Sequence, residues 1–124
     1  AEVKGKNFYA QEISDKGLSF GESSKGIITN LKFYKNNLAV AVKDGSKLKL
    51  SKYDLKENNY DFAVFNKKSE YGQSTLDIID SNDLNNLNVL VGEDNKLLTN
   101  NNFKINKLKN KYIYDLFYND TITN

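Results

Sequence analysis

The sequence predicts an all-β fold, a single antiparallel β-sandwich domain over residues 1–124, and three observations carry that reading. Short apolar runs alternate with polar residues at period two, as in Leu38, Val40, Val42 and in Leu48, Leu50. Turn-forming pairs, Asn36-Asn37 and Asp44-Gly45, separate those runs. The hydrophobic fraction of 39% and aromatic fraction of 12%, in a chain of 124 residues, are enough for one core without disulfides.

The elements follow in order. Residues 7–13 read as a first strand. Residues 26–50 read as a three-strand meander: Ile28, Leu31 and Phe33 alternate, Asn36-Asn37 turns the chain, Leu38 to Val42 return, and Asp44-Gly45 turns it again. Asp-Gly suits a type I′ hairpin because both central residues tolerate positive φ. Residues 60–66, 74–79, 87–91, 96–99 and 103–109 are further short strands bounded by turn residues. Ser81 is an N-cap candidate for a helical turn over 81–88. The terminal run Tyr112-Ile113-Tyr114-Asp115-Leu116-Phe117-Tyr118 offers apolar residues at near-helical spacing, but its aromatic content favours a strand. No internal repeat, linker or domain boundary is read.

The string from Leu48 to Asn66, with Leu55, Tyr60, Phe62 and Val64, resembles the E-to-F region of fibronectin type III and related immunoglobulin-like sandwiches. The resemblance implies an immunoglobulin-like topology with Tyr60 as a tyrosine corner, its phenol bonded to backbone a few residues upstream. It covers about 19 residues, and half the chain follows Tyr60. A variant topology with extra strands is therefore implied.

Composition narrows the chemistry. The chain has no His, Cys, Arg, Trp, Met or Pro. Without His, no side chain titrates near neutrality unless strongly shifted. Without Cys and His, zinc sites of the usual kind and thiolate or Ser-His-Asp catalysis are excluded. Nineteen Asn beside no Arg and no Pro fit an A+T-rich coding bias and a low-GC bacterium. The Asn clusters are accordingly read as turn-compatible and no more. The net charge of +2 is too small for an ordinary nucleic-acid domain. The run Lys104, Lys107, Lys109, Lys111 beside Tyr112 and Tyr114 reads as a solvated face, so no nucleic-acid partner is expected.

Candidate chemistry is sparse. Asp77, Asp80 and Asp83, with Ser81 and Asn82, gather oxygen ligands, but the EF-hand Gly and bidentate Glu are missing, so a solvated turn is the better reading. Ser46 and Lys49 fit S-x-x-K, yet on a strand residues three apart face opposite ways. Asp77 with Asp115 is a conceivable carboxylate pair. No catalytic residue, metal site or cofactor is assigned. The candidate binding surface is Tyr112, Tyr114 and Tyr118, which share one face if the terminal segment is a strand; Tyr34, Tyr53 and Tyr71 are secondary candidates.

The expected function is that of a non-catalytic, exported binding, adhesion or structural module at a bacterial periplasm or cell surface. The missing initiator Met fits a processed start, and a lipobox Cys just before Ala1 would make it the soluble part of a lipoprotein. A protein partner or self-association, as a homodimer through an open strand edge or the Tyr-bearing C-terminal strand, is expected ahead of carbohydrate. The alternatives are a carbohydrate-binding or enzyme-accessory module and a small carboxylate-based hydrolase.

Overall fold

Every strand pair among the described residues is parallel, which overturns the antiparallel, immunoglobulin-like sandwich expected from the sequence. The computed structural model describes residues 2–11, 16–68, 70–79, 87–99 and 104–118. Its elements are β1 (Glu2–Gln11), β2 (Lys16–Phe20), β3 (Lys25–Tyr34), β4 (Leu38–Lys43), β5 (Lys47–Leu50), β6 (Tyr53–Lys56), β7 (Tyr60–Phe65), β8 (Thr75–Ile78), β9 (Asn88–Gly92), β10 (Lys96–Leu98), β11 (Lys104–Leu108) and a terminal helix, α1 (Asn110–Tyr118).

The chain alternates between two sheets. Sheet A runs β1-β3-β5-β8-β10, with β6 paired to the second half of β3, and sheet B runs β11-β9-β7-β4-β2. Successive strands of one sheet come from successive turns of the chain, so the architecture is a β-solenoid. Parallel strands usually need a covering crossover helix. Here corners of three residues (35–37, 57–59, 44–46, 93–95) carry the chain from one sheet to the other.

The coil repeats every 22 residues through its middle. Lys25 pairs with Lys47 in sheet A, and Leu38 pairs with Tyr60 in sheet B. The same register aligns Asn36-Asn37 with Asn58-Asn59 and Val40, Val42 with Phe62, Val64. In sequence, Asn85-Asn86 precede Leu87 and Asn101-Asn102 precede Phe103 in the same way. A repeat is therefore present where none was read, and Asn36-Asn37 and Asn58-Asn59 mark its corner. The expected helical turn over 81–88 lies largely outside the described residues.

Strand positions within 26–50 and from 60 to 109 were mostly right, β2 and β6 were not read, and the partners were wrong. Asp44 and Gly45 do take positive φ, 54° and 77°, as the type I′ reading required. They turn the chain into the other sheet, not back along the same one. Lys35 and Glu57, one coil apart, share positive φ of 60° and 59°. Alternation at period two says which face a residue occupies and is silent about strand direction, so a meander and a solenoid satisfy it equally.

Two apolar layers result. Inside the coil, Ile28, Leu48, Leu50, Leu76 and Ile78 from sheet A meet Val40, Val42, Phe62, Val64, Val89 and Val91 from sheet B. Each such side chain, fully buried, contributes about 1.5–3 kcal/mol. Outside sheet B, Leu38, Ala41, Ala63, Phe65 and Leu90 form a second layer, roofed by Ile113 and Phe117 of α1. That roof explains why β4 and β7 are buried on both faces.

The terminal segment is thus a helix, not the strand favoured by its aromatic content. Ile113 and Phe117, one turn apart, drop onto a sheet that needs covering, and this tertiary demand outweighs local propensity. Tyr60 is likewise not a tyrosine corner. It lies on the outer side of sheet B, with its ring edge-on to Phe117 at 5.4 Å.

Candidate functional site

The corner between β7 and β8 departs from the repeat. Three residues join β4 to β5 and β9 to β10, but nine residues, 66–74, join β7 to β8. Of this corner, residues 66–68 and 70–74 are described, and they lie beside the start of α1. Together with the 93–95 corner they wall a groove of about 640 Å³ lined by Asn66, Lys67, Tyr71, Gln73, Glu93 and Tyr114, among others.

Buried polar groups fix its walls. Asp44, 1% exposed, accepts the backbone N–H groups of Lys67 and Lys68 on one carboxylate oxygen, both at 2.7 Å. The Asn66 side-chain amide donates to the Gly72 carbonyl at 3.0 Å, closing the loop on itself. Gln73 Nε2 donates to the Asp94 carbonyl at 2.9 Å, tying the loop to the next coil.

Asn110, at the start of α1, is the junction. Its Oδ1 accepts the Asn66 N–H and the Asn95 side-chain amide, each at 3.0 Å, while its Nδ2 donates to the Glu93 carbonyl at 3.2 Å. Beneath it runs a polar ladder in the residue that precedes β3, β5, β8 and β10 of sheet A. Ser24 N–H donates to Ser46 Oγ at 3.1 Å, and Ser74 N–H donates to Asn95 Oδ1 at 2.8 Å. Ser74 Oγ in turn accepts Gly45 N–H and donates to Asn66 Oδ1. Ser46 and Ser74 are fully buried, so each hydroxyl satisfies a backbone group that water does not reach.

At the rim, Tyr114 and Tyr118 stack with ring centroids 5.1 Å apart and planes 16° apart. The Lys67 ammonium sits 4.9 Å from the Tyr118 centroid and 5.8 Å from that of Tyr114. Spacing of four along α1 brings these two tyrosines together. Tyr112, 66% exposed, points elsewhere, so the three tyrosines do not form the single face that a strand would have given. Tyr71 lines the groove, Tyr53 packs edge-on to Phe62, and Tyr34 donates to Asp54.

No known protein family, curated protein or solved structure matches this chain.

The other sequence candidates are dispersed. Ser46 is sealed in the corner ladder while Lys49 is exposed on sheet A. Asp77 lies on the outer side of sheet A and Asp115 on the helix that covers sheet B, so the carboxylate pair is split between opposite layers. Asp80 and Asp83 lie outside the described residues. Lys104, Lys107, Lys109 and Lys111 are exposed along β11 and the beginning of α1. Asn66, Asn95 and Asn110, which organise the groove, were not singled out as functional. Only the broken 22-residue interval, Lys47 pairing with Thr75 after 28 residues, would have pointed to them.

Proposed function

We propose that this chain is a non-catalytic binding module of an exported bacterial envelope protein, and that the groove beside α1 is its contact surface. The extra six residues at the β7–β8 corner carry this reading. They interrupt the 22-residue repeat, and Asp44, Asn66 and Asn110 tie the described part of the corner down by hydrogen bonds. Insertions into a single repeat map to loops on one face, often the binding face, and a loop held rigid on a stiff scaffold loses little entropy on binding. Tyr71 and Tyr114 supply amphipathic contact area, while Lys67, Gln73 and Glu93 supply directional polar contacts.

A peptide segment of a protein partner is the occupant in this reading. The amide-rich lining with a tyrosine at the rim favours a second, a neutral oligosaccharide. Screening the protein against a displayed peptide library and a neutral glycan array separates the two. Tyr114→Ala should abolish the selected binding while leaving the melting temperature within a few degrees. Blank results on both screens would remove the groove as a binding site.

Self-association belongs to the same reading. With the terminal segment helical, self-association falls to the strand edges, of which the outer edge of β1, ten residues long and ending sheet A, is the longest among the described residues. Sedimentation at micromolar concentration tests it, and a strict monomer would remove it. Fractionation of the producing cells tests export. Among the described residues no helix is long and apolar enough to cross a membrane.

A further inference from the structure

We infer that the outer face of sheet A docks on an anionic lipid bilayer, a surface distinct from the groove. Parallel register puts Lys25, Lys47, Thr75 and Lys96 side by side in one row across four strands. The adjacent row is Lys4, Ile27, Lys49, Asp77 and Leu98. The lysines of both rows are exposed, and Lys25, Lys47, Lys49 and Lys96 form no ion pair among the described residues.

Like charges on neighbouring strands, roughly 4.8 Å apart, repel and destabilise a sheet. A negatively charged partner relieves that repulsion. Asp77 offsets Lys49 in its own row, and Glu2 is the backbone partner of Lys25, so the positive surplus rests on the Lys25, Lys47 and Lys96 row.

Shape and side-chain type choose the partner. Among the described residues these two rows line none of the grooves at the corners and helix, so the face suits a flat partner better than a threaded polymer. Ile27, Ile79 and Leu98 stand out among the lysines, 47%, 41% and 48% exposed. Aliphatic tips beside lysines on flexible stems match the boundary between headgroups and acyl chains. Sheet A offers neither Arg nor an aromatic side chain within residues 25–29, 47–51, 75–79 or 96–98, which removes the stacking and bidentate contacts that nucleic acids use.

Co-sedimentation with vesicles tests the inference. The protein should bind phosphatidylcholine vesicles containing about 30 mol % phosphatidylglycerol and not pure phosphatidylcholine, with binding weakened between about 50 and 200 mM salt. A juxtamembrane lysine contributes about fivefold in partitioning, so Lys25→Gln/Lys47→Gln/Lys96→Gln should lose about a hundredfold. Its melting temperature should stay level or rise, because the variant removes repulsion. The equal-charge control Lys104→Gln/Lys107→Gln/Lys109→Gln should stay within about threefold. Equal losses in both triple variants, equal binding to neutral vesicles, or binding to polygalacturonate or an oligonucleotide without binding to vesicles would each overturn the inference. The groove variant Tyr114→Ala should bind vesicles as the parent does, so failure of one surface leaves the other readable.

Discussion

Asn58 Oδ1 accepts both the backbone N–H of Asn36, at 2.8 Å, and its side-chain amide, at 3.2 Å, so each of these two corners is held by the equivalent residue one coil away. The Asn58 amide also donates to the Phe33 carbonyl at 3.0 Å. A parallel stack brings identical residues together, and Asn, with a donor and an acceptor on one side chain, bonds its own copy.

Asn58→Ala should therefore destabilise by about 1–3 kcal/mol, since it strands the Asn36 N–H and the Phe33 carbonyl in a largely buried corner. The neighbouring pair, in which Asn59 Nδ2 donates to Asn37 Oδ1 at 3.0 Å, is exposed. Asn59→Ala should change stability by less than about 0.5 kcal/mol. Urea denaturation of the two variants side by side provides the comparison, and equal costs would mean that burial does not separate the two positions.

A Cβ at Gly92 would overlap Asn110 Oδ1 and press within 3.1 Å of Phe65 Cβ. Gly92→Ala should expel the Asn110 side chain from its junction and cost about 1–3 kcal/mol. Because the two residues collide directly, Gly92→Ala/Asn110→Ala should be less destabilised than the sum of the singles. A double-mutant cycle reads this coupling, and strict additivity would show that Asn110 is not what the methyl meets.

Tyr60 separates the solenoid from the tyrosine-corner expectation. In the solenoid its ring packs on Phe117, so Tyr60→Phe keeps the contact and should lie within about 0.5 kcal/mol of the parent. Phe117→Ala should cost about 3–5 kcal/mol and expose the apolar layer on sheet B to a hydrophobic dye. A loss above about 1 kcal/mol for Tyr60→Phe would return weight to a buried hydroxyl bond.

Lys68 Nζ donates to Glu22 Oε1 at 2.7 Å across the first B-to-A corner and the groove loop. This hydrogen bond, then the charge of Lys68, holds the Glu22 carboxyl below its ordinary 4.5, and the same contact raises the Lys68 ammonium above its ordinary 10.5. The Glu22 contribution to stability is thus present above pH 4.5 and lost as pH falls through the lower folded value. The Lys68 contribution is present below 10.5 and lost as pH rises through the higher folded value. Solvent screens the pair, so the stability change is small. An NMR titration should show the Glu22 midpoint rising in Lys68→Gln, and an unchanged midpoint would contradict the pairing.

Much of the strand content was legible because period-two alternation marks inward positions whatever the pairing. Residues 26–50 were divided correctly into β3, β4 and β5, and the positive φ of Asp44 and Gly45 follows from residue type. Pairing direction was carried instead by self-similarity, Leu31-x-Phe33-x-x-Asn36-Asn37-Leu38 over Tyr53-x-Leu55-x-x-Asn58-Asn59-Tyr60, which coding bias made easy to dismiss. The unbroken apolar runs of β4 and β7 also signalled strands covered on both faces. α1 was weighed and set aside because only its docking surface decides for helix. The groove was the least legible part, since Asn66, Asn95 and Asn110 lie far apart in sequence and meet only once the coils stack.

The end strands carry a consequence for how the molecule comes apart. β4 and β7, in the middle of sheet B, are almost wholly buried, whereas β10 and β11, at the carboxyl end of the stack, expose most of their side chains. In a structure where each turn touches only its neighbours, local opening is cheapest at the ends and dearest in the middle. Amide hydrogen exchange should then follow position along the solenoid axis, fastest on β10 and β11 and slowest on β4 and β7. Heat should accordingly melt the chain from its carboxyl end inward, with probes at the two positions reporting different midpoints.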